Sequence, residues 1–387
     1  MTQFDDIRPF NDGEVRTTLN RLIQNPEFCH AIASLKQPRL SKLVPGLVRI
    51  LVKWGLEREL KGIETVFEVQ ALVKRYMDVM MVEATSSLTF SGLDQLDPNK
   101  AYLFVSNHRD IAMDPAFVGL VLFNQQFEAL RVAIGDNLLK KPYVSDLMRL
   151  NKCFIVNRSA TSPRDKLKAA KHLSSYIHHS IVEDNASVWI AQREGRAKDG
   201  IDKTNSAVVG MFALSKAKKA PLLDYIAELN IVPVSISYEL DPCDEAKARE
   251  LHAHNTHGAY EKDEHEDVAS IATGITGQKG HVHVAFGQVL NGNYQDTSEV
   301  VAEIDQQIIG NYVLHASNCI AWKLLHGESP KVLYTEKHLP FVIEDEALAL
   351  GEFEARLSTM SPDHKEIVLA MYANPVTAKL AEKNSSD

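Results

Sequence analysis

The chain has 387 residues, 45% hydrophobic and 24% charged, and 42 Lys and Arg against 51 Asp and Glu give a net charge of −9. That mixture is globular, long enough to bury a large core and to form two or three structural units. An acidic chain lacks the basic field of a general nucleic-acid binder, so no nucleic-acid partner is expected, although a local arginine cluster can still hold an anion.

Cys29, Cys153, Cys243 and Cys319 are far apart and form no C-x-x-C pair. This excludes a disulfide framework or zinc ribbon and fits a reducing, cytoplasmic setting. The N-terminal MTQFDDIRPF is too acidic for a secretory signal. No apolar run reaches about 18 residues, so no membrane span is expected.

Residues 1–85 read as helical. In 40–60, LSKLVPGLVRILVKWGLEREL, Arg49, Lys53 and Glu57 recur every four residues as one narrow polar stripe. Leu43, Leu47, Val48, Ile50, Leu51, Val52 and Trp54 cover the rest. Such a helix is either buried or lies in a lipid interface; burial is the preferred reading. A second helix is expected over 63–81.

From 86 the pattern changes to short apolar strands alternating with helices. SLTFSGL (87–93) alternates with period two, while AYLFVSN (101–107), KCFIVNR (152–158), SVWIAQ (187–192), IVPVSISYE (231–239) and HVHVAFG (281–287) are nearly continuous apolar runs. Such runs suit strands covered on both faces. A helix is expected from Ser162-Pro163. The alternation predicts an α/β fold with a substantially parallel sheet. The domain reading is a helical region over 1–85, an α/β domain over 86–330 with a charged, histidine-rich insertion at 241–280, and a C-terminal segment over 331–387 ending in one or two short helices. His252, His254, His257 and His265 in the insertion have no standard metal-ligand spacing, and a solvated linker is the preferred reading.

Three strand ends carry candidate chemistry. The first is Ser106-Asn107-His108-Arg109-Asp110-Ile111-Ala112-Met113-Asp114-Pro115. A histidine at the carboxyl end of a strand lies where α/β sheets bind ligands, and it is suited to general-base work. A carboxylate beside it would fix the imidazole tautomer. Asp114 before Pro115 also reads as a helix N-cap, with the helix opening at Pro115. His108-Arg109-Asp110 imitates a kinase catalytic loop, but that loop needs an Asn where Pro115 stands, and no Asp-Phe-Gly follows. The second motif, Lys152-Cys153-Phe154-Ile155-Val156-Asn157-Arg158-Ser159, delivers an arginine whose planar fork suits phosphate. The third runs from Trp189-Ile190-Ala191-Gln192 into Arg193-Glu194-Gly195-Arg196-Ala197-Lys198-Asp199-Gly200. Cations and free backbone N–H groups there would make an anion pocket, although for this motif taken alone a solvated loop with turn glycines is the preferred reading.

In this order the three motifs resemble the glycerophospholipid acyltransferase family, with its H-x4-D, F-I-x-R and E-G-T-R blocks. Ile231-Val232-Pro233-Val234 matches a fourth block. The likeness covers about 88–240. The Asp-Pro pair, Ile134-Gly135-Asp136 and the Trp-Ile-Ala strand also resemble the soluble glycerol-3-phosphate acyltransferases. Two departures stand out. Met113 occupies the expected aspartate position and Asp114 follows one later, so Asp114 is preferred to Asp110 as partner, with a one-residue bulge restoring its direction. The third block lacks its threonine, leaving Arg196 or Lys198 in the family arginine's place.

The resemblance implies transfer of a fatty acyl group from an acyl-CoA or acyl-carrier-protein thioester to glycerol 3-phosphate or its 1-acyl form, in phospholipid synthesis. His108 and Asp114 would be catalytic, and Arg158, Glu194, Gly195 and Arg196 would bind the acceptor. No metal and no cofactor beyond the thioester co-substrate are expected. The fold expected is a mixed, mostly parallel sheet flanked by helices. The setting expected is cytoplasmic, peripheral on the inner membrane face, with the helix 40–60 and less strongly Phe117–Phe123 as docking surface. The alternative is an inactive lipid- or phosphate-binding protein on the same fold.

Overall fold

The computed structural model describes residues 3–36, 44–263, 266–330 and 346–386. Leu43 and His265 therefore lie outside the described residues. The chain divides into two compact units, one of Met1–Tyr76 with Ala129–Tyr176 and the other of Met77–Glu128 with Ile177–Asp387. Within them lie seven strands: β1 (Ser87–Ser91), β2 (Leu103–Ser106), β3 (Arg131–Gly135), β4 (Cys153–Val156), β5 (Val188–Ala191), β6 (Ile231–Tyr238) and β7 (His281–Phe286). Six were expected from the pattern; β3, the short run RVAIG, was not.

In the first unit β3 and β4 pair in parallel, joined by the helix Pro142–Leu150. Val15, Leu19, Leu22 and Ile23 line one face of the helix Asp12–Gln24 and bury against Phe28, Leu60, Val66 and Leu150. That spacing is the apolar stripe of a core-facing helix.

The helix Pro45–Glu59 departs from the expected burial. Val48 is buried, but Leu47, Ile50, Leu51 and Trp54 are each 58–63% exposed. These four follow i, i+3, i+4, i+7 spacing and form one face. The polar stripe is used within the unit instead: Lys53 Nζ donates to Gln24 Oε1 at 3.2 Å.

The second unit holds a mixed sheet in the order β1-β7-β6-β2-β5. β1 and β7 are parallel, β7 and β6 antiparallel, and β2 is parallel to both β6 and β5. Every residue of β2 and β6 is buried, as suits their nearly continuous apolar sequences. The segment 241–280 is no solvated linker. It forms the helices Asp244–His257 and Glu266–Thr276, with Lys247 and Glu250 buried. His252 lies edge-on to His364, and among the described residues no group of ligands fits a metal ion. The C-terminal helices are Glu346–Ser358 and Pro362–Ser386; the second, of 25 residues, is longer than the short helix expected. Phe353, Val368, Met371 and Tyr372 pack with Ile320 and Ala321 of the helix Ala316–His326. All four cysteines are free and buried.

A polar layer crosses one edge of this sheet. Thr89 Oγ1 lies 2.6 Å from His281 Nε2 and 2.7 Å from His283 Nδ1, and Ser91 Oγ lies 2.9 Å from His283 Nε2. The buried ring of His315 stands perpendicular to His281 at 5.0 Å. Burial, then the neighbouring His281 and His283, press the His315 imidazole down from 6.5 to about 3. The unfolded chain takes up this proton below about pH 6.5, while the folded one refuses it until about pH 3. Between those values His315 erodes stability by up to roughly tenfold in the folding equilibrium per pH unit. Denaturant titrations from pH 7 to pH 4 should therefore lose less stability in His315→Asn than in the parent. An identical slope in both chains would remove His315 as the cause.

Candidate active site

The first motif forms the loop between β2 and the helix Met113–Asn124. That helix opens two residues before Pro115, and Asp110, not Asp114, closes its start. Asp110 Oδ1 accepts from the backbone N–H of Ala112 and Met113, both at 2.9 Å. This is ordinary N-terminal capping. Burial, then the Asp114 charge, push the Asp110 carboxyl up. Gly274 leaves the space it needs, because a Cβ there would sit 2.1 Å from Asp110 Oδ2.

Asp114 is freed for another task. Its Oδ2 meets His108 Nδ1 at 2.8 Å and accepts from the N–H of Arg109 at 2.6 Å and of Asp110 at 3.0 Å. Its Oδ1 accepts from the Tyr238 hydroxyl at 2.7 Å. The loop between Ser106 and Met113, at the strand–helix junction, carries this motif, and Asp114 reaches His108 from the first turn of the helix. With Nδ1 turned toward Asp114, Nε2 is the nitrogen left to face a reactant. The imidazole side chain is 14% exposed and Asp114 fully buried. Trp189 stands edge-on to the imidazole at 6.0 Å and donates from Nε1 to Ser106 Oγ at 3.1 Å.

The loop around His108 is clamped from several sides. Asn107 closes on β6, donating from Nδ2 to Ile236 O at 3.0 Å and accepting from Ile236 N at 2.8 Å. The buried Arg109 guanidinium donates to Asp202 Oδ2 at 2.6 Å and lies over the Tyr312 ring at 5.5 Å. Burial opposes the Arg109 charge, but Asp202 and its neighbours outweigh it and hold the group above its ordinary value. Lys247 Nζ donates to Arg109 O at 2.7 Å and pairs with Asp241. Arg109 thus serves structure here, as the buried end of a clamp.

The third motif adjoins this loop. Ala197 N donates to His108 O at 2.7 Å, and Gln192 N to Ser106 O at 2.7 Å. Glu194 and Gly195 are exposed at the turn, where Gly195 takes φ +74°, a conformation suited to glycine. Arg196 is buried near Asp241; burial pushes that carboxyl up, but Lys247, the Cys243 N–H and then Arg196 outweigh it and hold it below its ordinary value. No hydrogen bond occupies Arg196 among the described residues, whereas Lys198 is paired with Glu250. Among the described residues Arg196 is therefore, with Arg193, a cation of this loop that no hydrogen bond occupies. The C-terminal helix holds the loop's far side: Asn374 Nδ2 donates to Asp199 O at 2.7 Å, and a Cβ on Gly200 would meet Met371 O at 2.0 Å.

Arg158, in the first unit, follows β4 and is exposed. Asp136 fixes its backbone, accepting from the N–H of Arg158 at 3.0 Å and of Ser159 at 3.2 Å. Sequence reading missed Tyr238, Asp202, Asp241 and Lys247. The only signal for Tyr238 was its place closing the longest apolar strand.

Residues 87–237 match the family model described as Acyltransferase. The chain is similar in structure to the 1-acyl-sn-glycerophosphate (LPA) acyltransferase PlsC of Thermotoga maritima, at 13% identity and a TM-score of 0.37. That similarity covers 73% of this chain and 95% of the other. No curated protein matches.

The Arg109–Asp202 pair is almost completely buried, at 8% and 6% side-chain exposure. Removing one partner of such a pair strands the other charge and costs about 3–5 kcal/mol. Asp202→Asn should lose stability of that order by urea unfolding. A loss below about 1 kcal/mol would show that the clamp contributes little.

Proposed function

We propose that this chain, whose residues 87–237 match the Acyltransferase family model, moves a fatty acyl group from a thioester to a hydroxyl of glycerol 3-phosphate or 1-acylglycerol 3-phosphate. The observation that carries the reading is the His108–Asp114 pair, an imidazole 14% exposed with Nδ1 taken by the carboxylate, and Arg196 in the adjoining loop.

In this mechanism Nε2 takes the proton of the acceptor hydroxyl as its oxygen attacks the thioester carbonyl carbon. Asp114 accepts from Nδ1–H throughout and stabilises the imidazolium that forms. The tetrahedral intermediate then collapses, the C–S bond breaks, and the imidazolium returns its proton to the departing thiolate. Ester and free thiol are the products. General-base assistance of this kind contributes roughly 10²–10⁴-fold. Arg196 binds the acceptor phosphate, and Glu194 and Gly195 shape the turn that presents it; for Arg158, in the first unit, a phosphate-binding role is what the family resemblance implies. The donor is acyl-CoA or acyl-carrier protein, and no metal or further cofactor takes part.

The acceptor class places the enzyme at a lipid surface on the inner membrane face, as a peripheral protein. No helix among the described residues is long and apolar enough to cross a membrane. The exposed face Leu47, Ile50, Leu51 and Trp54 is the docking surface proposed. The stretch Phe117–Phe123 drops out of that role, because Phe117, Val118, Leu120, Val121 and Leu122 are buried.

Purified protein incubated with labelled acyl-CoA or acyl-carrier protein and each acceptor should form the ester, and His108→Ala should abolish turnover. Near-normal turnover in that variant would end the base assignment, and thioester binding without transfer by the parent would favour a binding protein. Arg196→Ala should raise the acceptor KM about tenfold or more with a smaller change in kcat. An unchanged KM would remove Arg196 from the phosphate site.

Trp54→Glu should leave thermal unfolding unchanged and weaken flotation with anionic vesicles. Lost stability with unchanged flotation would return this helix to the core.

A further inference from the structure

We propose that Tyr238 is a positioning residue, whose hydroxyl fixes Asp114 and through it the tautomer and basicity of His108, an inference that rests on the acyl-transfer reading above. Tyr238 closes β6 and is buried, with its ring edge-on to Phe117 at 5.7 Å. Its hydroxyl lies 2.7 Å from Asp114 Oδ1, the oxygen that the imidazole does not use. Burial, then the charges of Asp114 and Asp110, hold the phenol well above its ordinary value, so it stays protonated and donates.

The geometry assigns the two carboxylate oxygens different work. Oδ2 takes His108 Nδ1 and two backbone N–H groups, while Oδ1 takes the phenol. Without that donor the carboxylate is held at Oδ2 alone, and Oδ1 becomes a buried acceptor without a partner. With it, the plane of the carboxylate is fixed from both ends. The phenol also draws charge from Asp114 and so moderates how strongly the carboxylate attracts a proton on the imidazole. Removing the donor therefore raises the proton affinity of the His108–Asp114 pair.

The decisive variant is Tyr238→Phe, which deletes one oxygen. With the full chain in the acyl-transfer assay, kcat should fall about ten- to hundredfold, with the acceptor KM nearly unchanged. The acid limb of kcat/KM against pH should move up by about half a unit or more. Phe117→Leu loosens the same ring without removing the hydroxyl and should leave the limb in place. 3-Fluorotyrosine at 238 keeps the residue, makes a stronger donor and should move the limb down. An unmoved limb in Tyr238→Phe, or an equal shift in Phe117→Leu, would overturn the assignment. If the parent transfers no acyl group, the acyl-transfer reading fails by itself. The Tyr238 assignment is then decided by NMR titration of the His108 ring, where equal midpoints in the parent and Tyr238→Phe would refute it.

Discussion

One fully buried carboxylate organises this molecule's chemistry. Asp114 receives four donors: an imidazole, two successive backbone N–H groups and a phenol. A buried charge is tolerated only when paired and hydrogen-bonded. The loop after β2 therefore folds around the carboxylate, and the direction of His108 follows from that loop. Asp110 takes the capping duty at the start of the helix, which leaves Asp114 free of it. Two carboxylates four residues apart thus have opposite roles, set by which backbone N–H groups each one faces.

The surroundings of this loop are drawn from much later in the sequence. Lys247 reaches back to Arg109 O across 138 positions, and Tyr238 to Asp114 across 124. The charged segment after β6 thereby acquires a purpose. Its first helix supplies a buried ammonium to the loop that holds His108, and its second provides, at Gly274, the space that Asp110 occupies.

That distribution explains what was legible in the sequence. His108, Asp114 and Arg196 announce themselves because each stands where an apolar strand gives way to polar residues, a strictly local signal. The alternation of apolar runs likewise exposed mostly parallel strand pairing, and the positions of six of the seven strands described in the two units. Choosing Asp114 over Asp110 by sequence was a matter of spacing; the structure settles their geometry through hydrogen bonds to Nδ1 and to the helix start. Tyr238, Asp202 and Lys247 gave no comparable signal, because a phenol, a carboxylate and an ammonium become partners of the loop only after distant segments pack. The helix Pro45–Glu59 misled for a related reason. An apolar surface predicts removal from water, but not which solvent or neighbour takes water's place, and its face of Leu47, Ile50, Leu51 and Trp54 is left uncovered within its unit.

The C-terminal helix Pro362–Ser386 carries a consequence for biosynthesis. Asn374 and Met371 brace the turn at Asp199 and Gly200, yet the ribosome makes them long after that turn. The arginine-bearing loop must therefore emerge without its brace and wait for it. During translation the nascent sheet passes through a stage in which this cationic turn is held on one side only.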